Sequence, residues 1–341
     1  MLVASNVLSG AAQLVAAVLL LTGTATLWHL VLTQLVRGVA QSFFFPASTG
    51  LVPQTVADEK LQQANVLLRM TTNGSFVLGA AAGGILVAAV GSGWALAFDG
   101  GTYLVSGAIL VFMRVGGRVR ARTGFAHDLR EGWREFRSRE WLWAIVAAAT
   151  FGNMISQGCW AVLGPVVAQR ELGGARAWGL VLATQSVGFL VGGVAAFRLR
   201  PRRYLLTAQA VIVFSAVNLV ALALGVPVAV LAVAAFVTGF CVELFGVYWD
   251  TALQQHVPRE ALSRVSSYDA LGSIVAIPVG LSVVGPVSAA IGVGTTLWAG
   301  AILFTFVQAA ALLSRDVRTL ARTDQPVAVD PSPEPEAVTA S

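Results

Sequence analysis

The sequence predicts an all-α integral membrane protein, and three observations lead there. The 341 residues are 56% hydrophobic and only 11% charged, with 22 Lys+Arg against 17 Asp+Glu, and the mean hydropathy is +0.76. Apolar runs long enough to cross a bilayer follow one another almost without interruption. Arginines gather in the short breaks between those runs. A soluble domain carries about 25% charged residues. This chain has too few to cover a soluble surface of its size, which excludes an ordinary soluble enzyme, a disordered chain and a disulfide scaffold.

A bilayer core takes about 20 residues of helix. On that measure the chain holds ten spans, at 3–25, 28–51, 64–90, 93–114, 141–168, 175–198, 203–225, 226–252, 262–289 and 293–314. Several nearly touch and are divided by turn residues: Gly23 with Thr24, Gly91 to Gly93, Gly225 to Pro227, and Gly292 to Gly294. Trp28, Trp94, Trp141, Trp143 and Trp298 fall near span ends, as in an aromatic belt. Cys159 and Cys241 lie in apolar runs without CxxC spacing and imply neither disulfide nor metal.

Arginine fixes the expected orientation. The 115–140 segment holds Arg118, Arg120, Arg122, Arg130, Arg134, Arg137 and Arg139; the 198–203 turn holds Arg198, Arg200, Arg202 and Arg203; the tail opens with Arg315, Arg318 and Arg322. These belong together on the cytoplasmic side. The breaks near 26, 92, 225 and 291 carry no Lys or Arg and belong outside, with Arg170 and Arg176 as a weak exception. Both termini come out cytoplasmic in a multi-pass protein of the cell membrane.

Domain organisation follows: 1–114 as four spans, 115–140 as a connection, 141–315 as six spans, and 316–341 as a Pro-rich acidic tail expected to be disordered. Within the connection, 127–142 alternates charge with Leu129, Trp133, Phe136 and Trp141. It reads as an amphipathic helix, either at the membrane surface or as a solvated linker.

Residues 59–84 repeat at 260–285. With an offset of 201, Glu59 falls on Glu260, Leu61 on Leu262, Gly79 on Gly280, Gly84 on Gly285 and Gly38 on Gly239. The match pairs helices of equal direction, as in transporters built of parallel halves. It leaves the two spans at 141–198 without counterparts, so the chain is expected to hold ten helices of a twelve-helix plan and to lack the first two.

The chain resembles the major facilitator superfamily, in the branch of the enterobactin exporter and macrolide-efflux-like permeases. The matching stretches are FFFPASTGLVP at 43–53, EKLQQANVLL at 59–68, FDGGTYLVSG at 98–107, DLREGWREF at 128–136 and WDTALQQHVPREALSRVSSYDALGS at 249–273. The resemblance implies six plus six helices, a central cavity, and alternating access driven by an ion gradient, usually of protons. Some motifs depart from the family pattern. Phe197 stands where GGVAAFRLRPRR (192–203) should carry an acid, Gln34 precedes Gly38 where an arginine is usual, and Ala80 replaces the proline of the fifth-helix motif. These departures weaken the case for proton coupling by the family's usual residues and leave the fold unaffected.

Ionisable groups within spans are costly and mark candidate sites. Glu243 is the leading candidate for a proton-titrating or cation-binding group, against a purely structural pairing. Arg37, at mid-span, and Asp99, near an outer end, join it as candidates for a substrate or proton pathway. The alternatives are a snorkelling arginine and a helix-packing carboxylate. Asp250, Asp269, Arg264 and Arg69 are expected to form a cytoplasmic gate network, against a substrate site for the two acids and a snorkelling Arg69. Gly79, Gly83 and Gly84 are expected to let helices pack closely. Asn73, Asn153, Gln157, Gln185 and Asn218 are uncharged polar groups that line a cavity or bond between helices.

No P-loop, nucleophile motif or His cluster is present, so an enzyme is not expected and no cofactor is implied. The expected partners are the lipid bilayer, a small-molecule substrate and protons, with no nucleic acid, for a chain acting as a monomer. The expected function is a proton-coupled exporter of drugs or small metabolites. The alternatives are a truncated, non-transporting membrane protein and an importer of the same fold.

Overall fold

The computed structural model describes residues 2–112 and 125–321, and among these it contains helices and no strands. The first three helices are α1 (Leu2–Leu21), α2 (Leu27–Thr55) and α3 (Leu61–Phe112). Thr26 caps α2: its hydroxyl accepts from the His29 backbone N–H at 3.4 Å. Gly91 breaks α3 with φ +84 and ψ 165, a left-handed conformation that glycine adopts without a Cβ clash. The stretch after the break runs back along α1. Gly93 meets Leu21, Gly100 meets Leu14 and Gly107 meets Asn6, an antiparallel register.

After α4 (Phe125–Arg137) comes a second group of helices. It comprises α5 (Glu140–Gly158), α6 (Gly164–Glu171), α7 (Ala175–Arg198), α8 (Tyr204–Val213), α9 (Val217–Ala223), α10 (Val228–His256), α11 (Arg259–Val275), α12 (Ile277–Ile291) and α13 (Val293–Ala310), followed by the short α14 (Arg315–Thr319). A π-helical turn at Cys159–Leu163 joins α5 to α6 just before Pro165. Ala276 joins α11 to α12 just before Pro278. Proline has no N–H to give the preceding turn, so each ladder is interrupted there. The second group packs tightest between α7 and α10. A Cβ on Gly188 would strike the Phe236 carbonyl, and one on Gly239 the Gln185 carbonyl. Only glycine lets two helices touch backbone to backbone in this way.

Eight stretches among the described residues are long and apolar enough to cross a bilayer. They match eight of the ten expected spans; those expected at 28–51 and 64–90 include side chains that lie outside the described residues. Both run as helix, in α2 and the first part of α3, and carry the polar residues Gln34, Arg37, Asn65, Arg69 and Asn73. The amphipathic stretch is shorter than 127–142. It ends at Arg137, and Trp141 belongs to α5, where it is buried. Trp28, Trp94, Trp143 and Trp298 stay exposed, as an aromatic belt requires.

The core of the second group divides in two. One cluster, with Trp141, Leu142, Tyr204, Tyr248 and Leu262, lies at the end where Arg139, Arg198, Arg203 and Arg259 sit. This is called the arginine-rich end below. The other, with Trp160, Leu163, Val181, Leu219 and Leu297, lies toward the opposite end.

Candidate functional site

Between the two clusters the second group leaves a cavity of about 360 Å³. The polar residues Asn153, Gln157, Gln185 and Asn218 line it, together with Thr238 and Gln308. Aromatic rings of Trp160, Phe189, Phe245, Trp249 and Phe304 complete the walls. The charged residues in its lining are Arg69, Asp250 and Asp269, and Arg69 alone of the lining residues comes from the first three helices. A Gly and a Trp on α10 shape this floor. A Cβ on Gly246 would run into the Arg69 guanidinium, so the bare backbone makes its seat. Trp249 Nε1 donates to Asp269 at 3.1 Å, and Ser273 adds its hydroxyl to the same carboxylate at 3.3 Å.

Arg69 Nε meets Asp250 Oδ2 at 2.8 Å. About one turn further along α3, Asn73 Nδ2 donates to Glu243 Oε2 at 2.8 Å. Glu243 is 2% exposed, and its Oε1 is buried without a hydrogen-bond partner. Bare backbone lies behind it: a Cβ on Gly193 would stand 3.8 Å from Oε1. Toward the arginine-rich end the same face of α3 continues. Asn65 donates to Thr251 at 3.1 Å and to Gln254 at 2.9 Å, and Gln62 donates to the Ala196 and Leu199 carbonyls. Residues 62, 65, 69 and 73 recur at helical spacing, so one stripe of α3 carries a ladder of bonds to α7 and α10.

The four-residue network expected of Asp250, Asp269, Arg264 and Arg69 therefore divides. Arg69 and Asp250 pair across the two groups and Asp269 stands beside them on the cavity floor, but Arg264 turns away to Glu131 of α4, at 3.1 Å. Positions 264 and 269 are five residues apart on one helix, which places them on different faces.

Arg37 and Asp99 do not join Glu243. They end a chain of side-chain amides within the first three helices. Arg37 Nη1 donates to Gln34 Oε1 (3.1 Å), Gln34 Nε2 to Gln13 Oε1 (3.0 Å), and Gln13 Nε2 to Asp99 Oδ2 (2.5 Å). The cation and the carboxylate fix the orientation of both intervening amides. Gln13, 2% exposed, was not singled out in the sequence. Gly79 and Gly83 have nothing within 4 Å of a Cβ added to either, so no helix rests on them among the described residues, and Gly84 lies in the same helix. Close helix contact falls instead on Gly188, Gly192 and Gly239 between α7 and α10, and on Gly158 and Gly280 between α5 and α12.

A model of the Major Facilitator Superfamily matches residues 1–268. Among curated proteins, the uncharacterised MFS-type transporter YvqJ of Bacillus subtilis (strain 168) is 24% identical over 314 residues, covering 89% of this chain and 74% of YvqJ. Among solved structures, a bacterial homologue of the iron transporter ferroportin, in an outward-facing state, superposes with a TM-score of 0.69 at 19% identity, covering 92% of this chain and 83% of that one. The fucose:proton symporter FucP of E. coli gives 0.66 at 14% identity, with 91% and 83% covered. With most of its length matched by that family, and with a multi-pass helical bundle around a polar cavity, the chain belongs to the Major Facilitator Superfamily of membrane transporters.

Proposed function

We propose that the chain is a proton-coupled exporter of drugs or small metabolites in the cell membrane, working by alternating access with Glu243 as the proton carrier. The observation that supports this most is the place of Glu243. It is buried where α3, α7 and α10 meet, bonded to Asn73 through one oxygen and left unpartnered at the other. A carboxylate at such depth is expensive and is retained for ion traffic or for pairing. Here it sits on the seam that opens and closes when the access side changes. In its ionised form it favours the closed seam through Asn73 and the nearby Arg69 guanidinium. Taking up a proton removes that attraction and frees α3 to part from α10.

The Arg69–Asp250 pair is the gate on that seam, and Asp269 is held beside it for the substrate or for the same proton. The arginine excess supports a cytoplasmic position for this end and for both termini. The cavity walls of amides, hydroxyls and aromatic rings suit a fairly apolar molecule with a few hydrogen-bonding groups. Arg37 and Asp99 act as a separate brace for the first three helices. The protein acts as a monomer.

Efflux of a panel of fluorescent dyes from cells making the full-length protein, with and without collapse of the proton gradient, tests the reading. Gradient-dependent efflux that is lost in Glu243→Gln is expected. Efflux indifferent to the gradient removes proton coupling, and accumulation identical to that of control cells across the panel removes export.

A further inference from the structure

Helix α4 sorts its residues more sharply than a linker requires. At 3.6 residues per turn, Leu129, Arg130, Trp133, Arg134 and Arg137 occupy one side of its circumference. All five are exposed. Glu131, Gly132, Glu135 and Phe136 occupy the other side, and that side is docked or ion-paired. Gly132 sits against Arg264 and Tyr268, and Phe136 packs its ring 5.9 Å from that of Tyr268. Glu131 pairs with Arg264 at 3.1 Å and Glu135 with Arg139 at 2.6 Å. Both acids are thus neutralised within the protein. The outer side offers three cations and a ridge of two large apolar groups, Leu129 and Trp133, each about half exposed; Trp133 rests its inner edge on Phe136 and Tyr268, with ring centroids 5.7 and 5.5 Å away. The helix is tied to the arginine-rich end by Tyr268, whose hydroxyl donates to the Leu129 carbonyl at 2.9 Å.

Apolar ridge and flanking arginines together have the chemistry of an interfacial helix. Lipid phosphates supply the anions, and a bilayer surface lies at the ends of the spanning helices. We infer that the free face of α4 binds an anionic lipid surface, with Leu129 and Trp133 entering the headgroup layer and Arg130, Arg134 and Arg137 holding phosphates. The contact would fix the position of α11, which carries Asp269, relative to the bilayer. It rests on the arginine-rich end facing a membrane surface, but not on the direction or coupling of transport.

The test uses the full chain in nanodiscs of phosphatidylcholine alone or mixed equally with phosphatidylglycerol. Trp133 is read as the difference between the wild type and Trp133→Phe, with brominated lipid and aqueous acrylamide as competing quenchers. In the mixed bilayer the Trp133 signal should be quenched by lipid, and in phosphatidylcholine by acrylamide. The triple variant R130Q/R134Q/R137Q should behave in the mixed bilayer as the wild type does in phosphatidylcholine, with partition falling roughly fivefold per arginine removed. Added salt should release the wild type in the same way, which decides the matter even where the triple variant folds poorly. Equal acrylamide quenching in both bilayers overturns the inference. So does lipid quenching that ignores charge and salt, or a Trp133 shielded from both quenchers by a protein partner. Because transport is not the readout, failure here leaves the export proposal standing.

Discussion

Asn73 and Glu243 stand 2.8 Å apart across the seam between α3 and α10, and this bond is the deepest of the ladder that begins at Gln62. Removing the donor tests its role without touching the acid. Asn73→Leu should loosen the seam and leave both oxygens of Glu243 without a partner. A cost of about 1–3 kcal/mol is expected when a buried polar group loses its bond. Thermal unfolding in detergent reads the loss, and Asn73→Leu combined with Glu243→Gln should unfold closer to the wild type than their separate effects would add up to.

The Arg69–Asp250 pair is partly exposed, at 32% and 24% for the two side chains. Its pairwise value should be that of a surface pair, about 0.2–1 kcal/mol. A double-mutant cycle with Arg69→Gln and Asp250→Asn measures it. The effect on conformation should be easier to see. Spin labels at the exposed positions Thr55 and Glu260 should report a longer distance population in either single variant, and an unchanged distribution would remove the pair from the gate.

Gln13 links Gln34 to Asp99. Gln13→Leu keeps the approximate volume and cuts the amide chain in the middle, stranding Asp99 and the Gln34–Arg37 pair. We expect destabilisation of about 1–3 kcal/mol, with proton coupling retained, since the chain touches neither the cavity nor Glu243. Loss of coupling at unchanged stability would move Arg37 and Asp99 from brace to pathway.

Gly188 and Gly239 hold α7 and α10 at backbone contact. Gly188→Val places two methyl groups where the Phe236 carbonyl stands. Overpacking of this kind costs about 1–3 kcal/mol or more. The same change at Gly79, which has open space around it among the described residues, should leave the melting temperature nearly unmoved.

Much of the bundle was legible because apolar length is a strong signal, and the glycines at 23, 91, 225 and 292 mark real breaks with positive φ. Glu243, Arg69, Asp250 and Asp269 were also legible, since charge stands out in an apolar run. Their partners were less so. The stripe of Gln62, Asn65, Arg69 and Asn73 has the period of a helix face, yet only Arg69 and Asn73 stand out in the sequence, because Gln62 and Asn65 carry no charge and lie near the start of the helix. The clustering of Gly79 and Gly83 points to helix contact. Clustering does not say which neighbour approaches, whereas Gly188 and Gly239 each lie under a carbonyl of the other helix. Trp249 looked like one more aromatic of the spans, and its tie to Asp269 exists only once α10 and α11 stand together.

The most direct measurement of the central claim is proton movement in proteoliposomes loaded with a pH-sensitive dye, on addition of a substrate found by efflux. Wild-type protein should move protons against the direction of substrate. Glu243→Gln should exchange substrate down its gradient and move no protons. Proton movement in Glu243→Gln equal to that of the wild type would contradict the account.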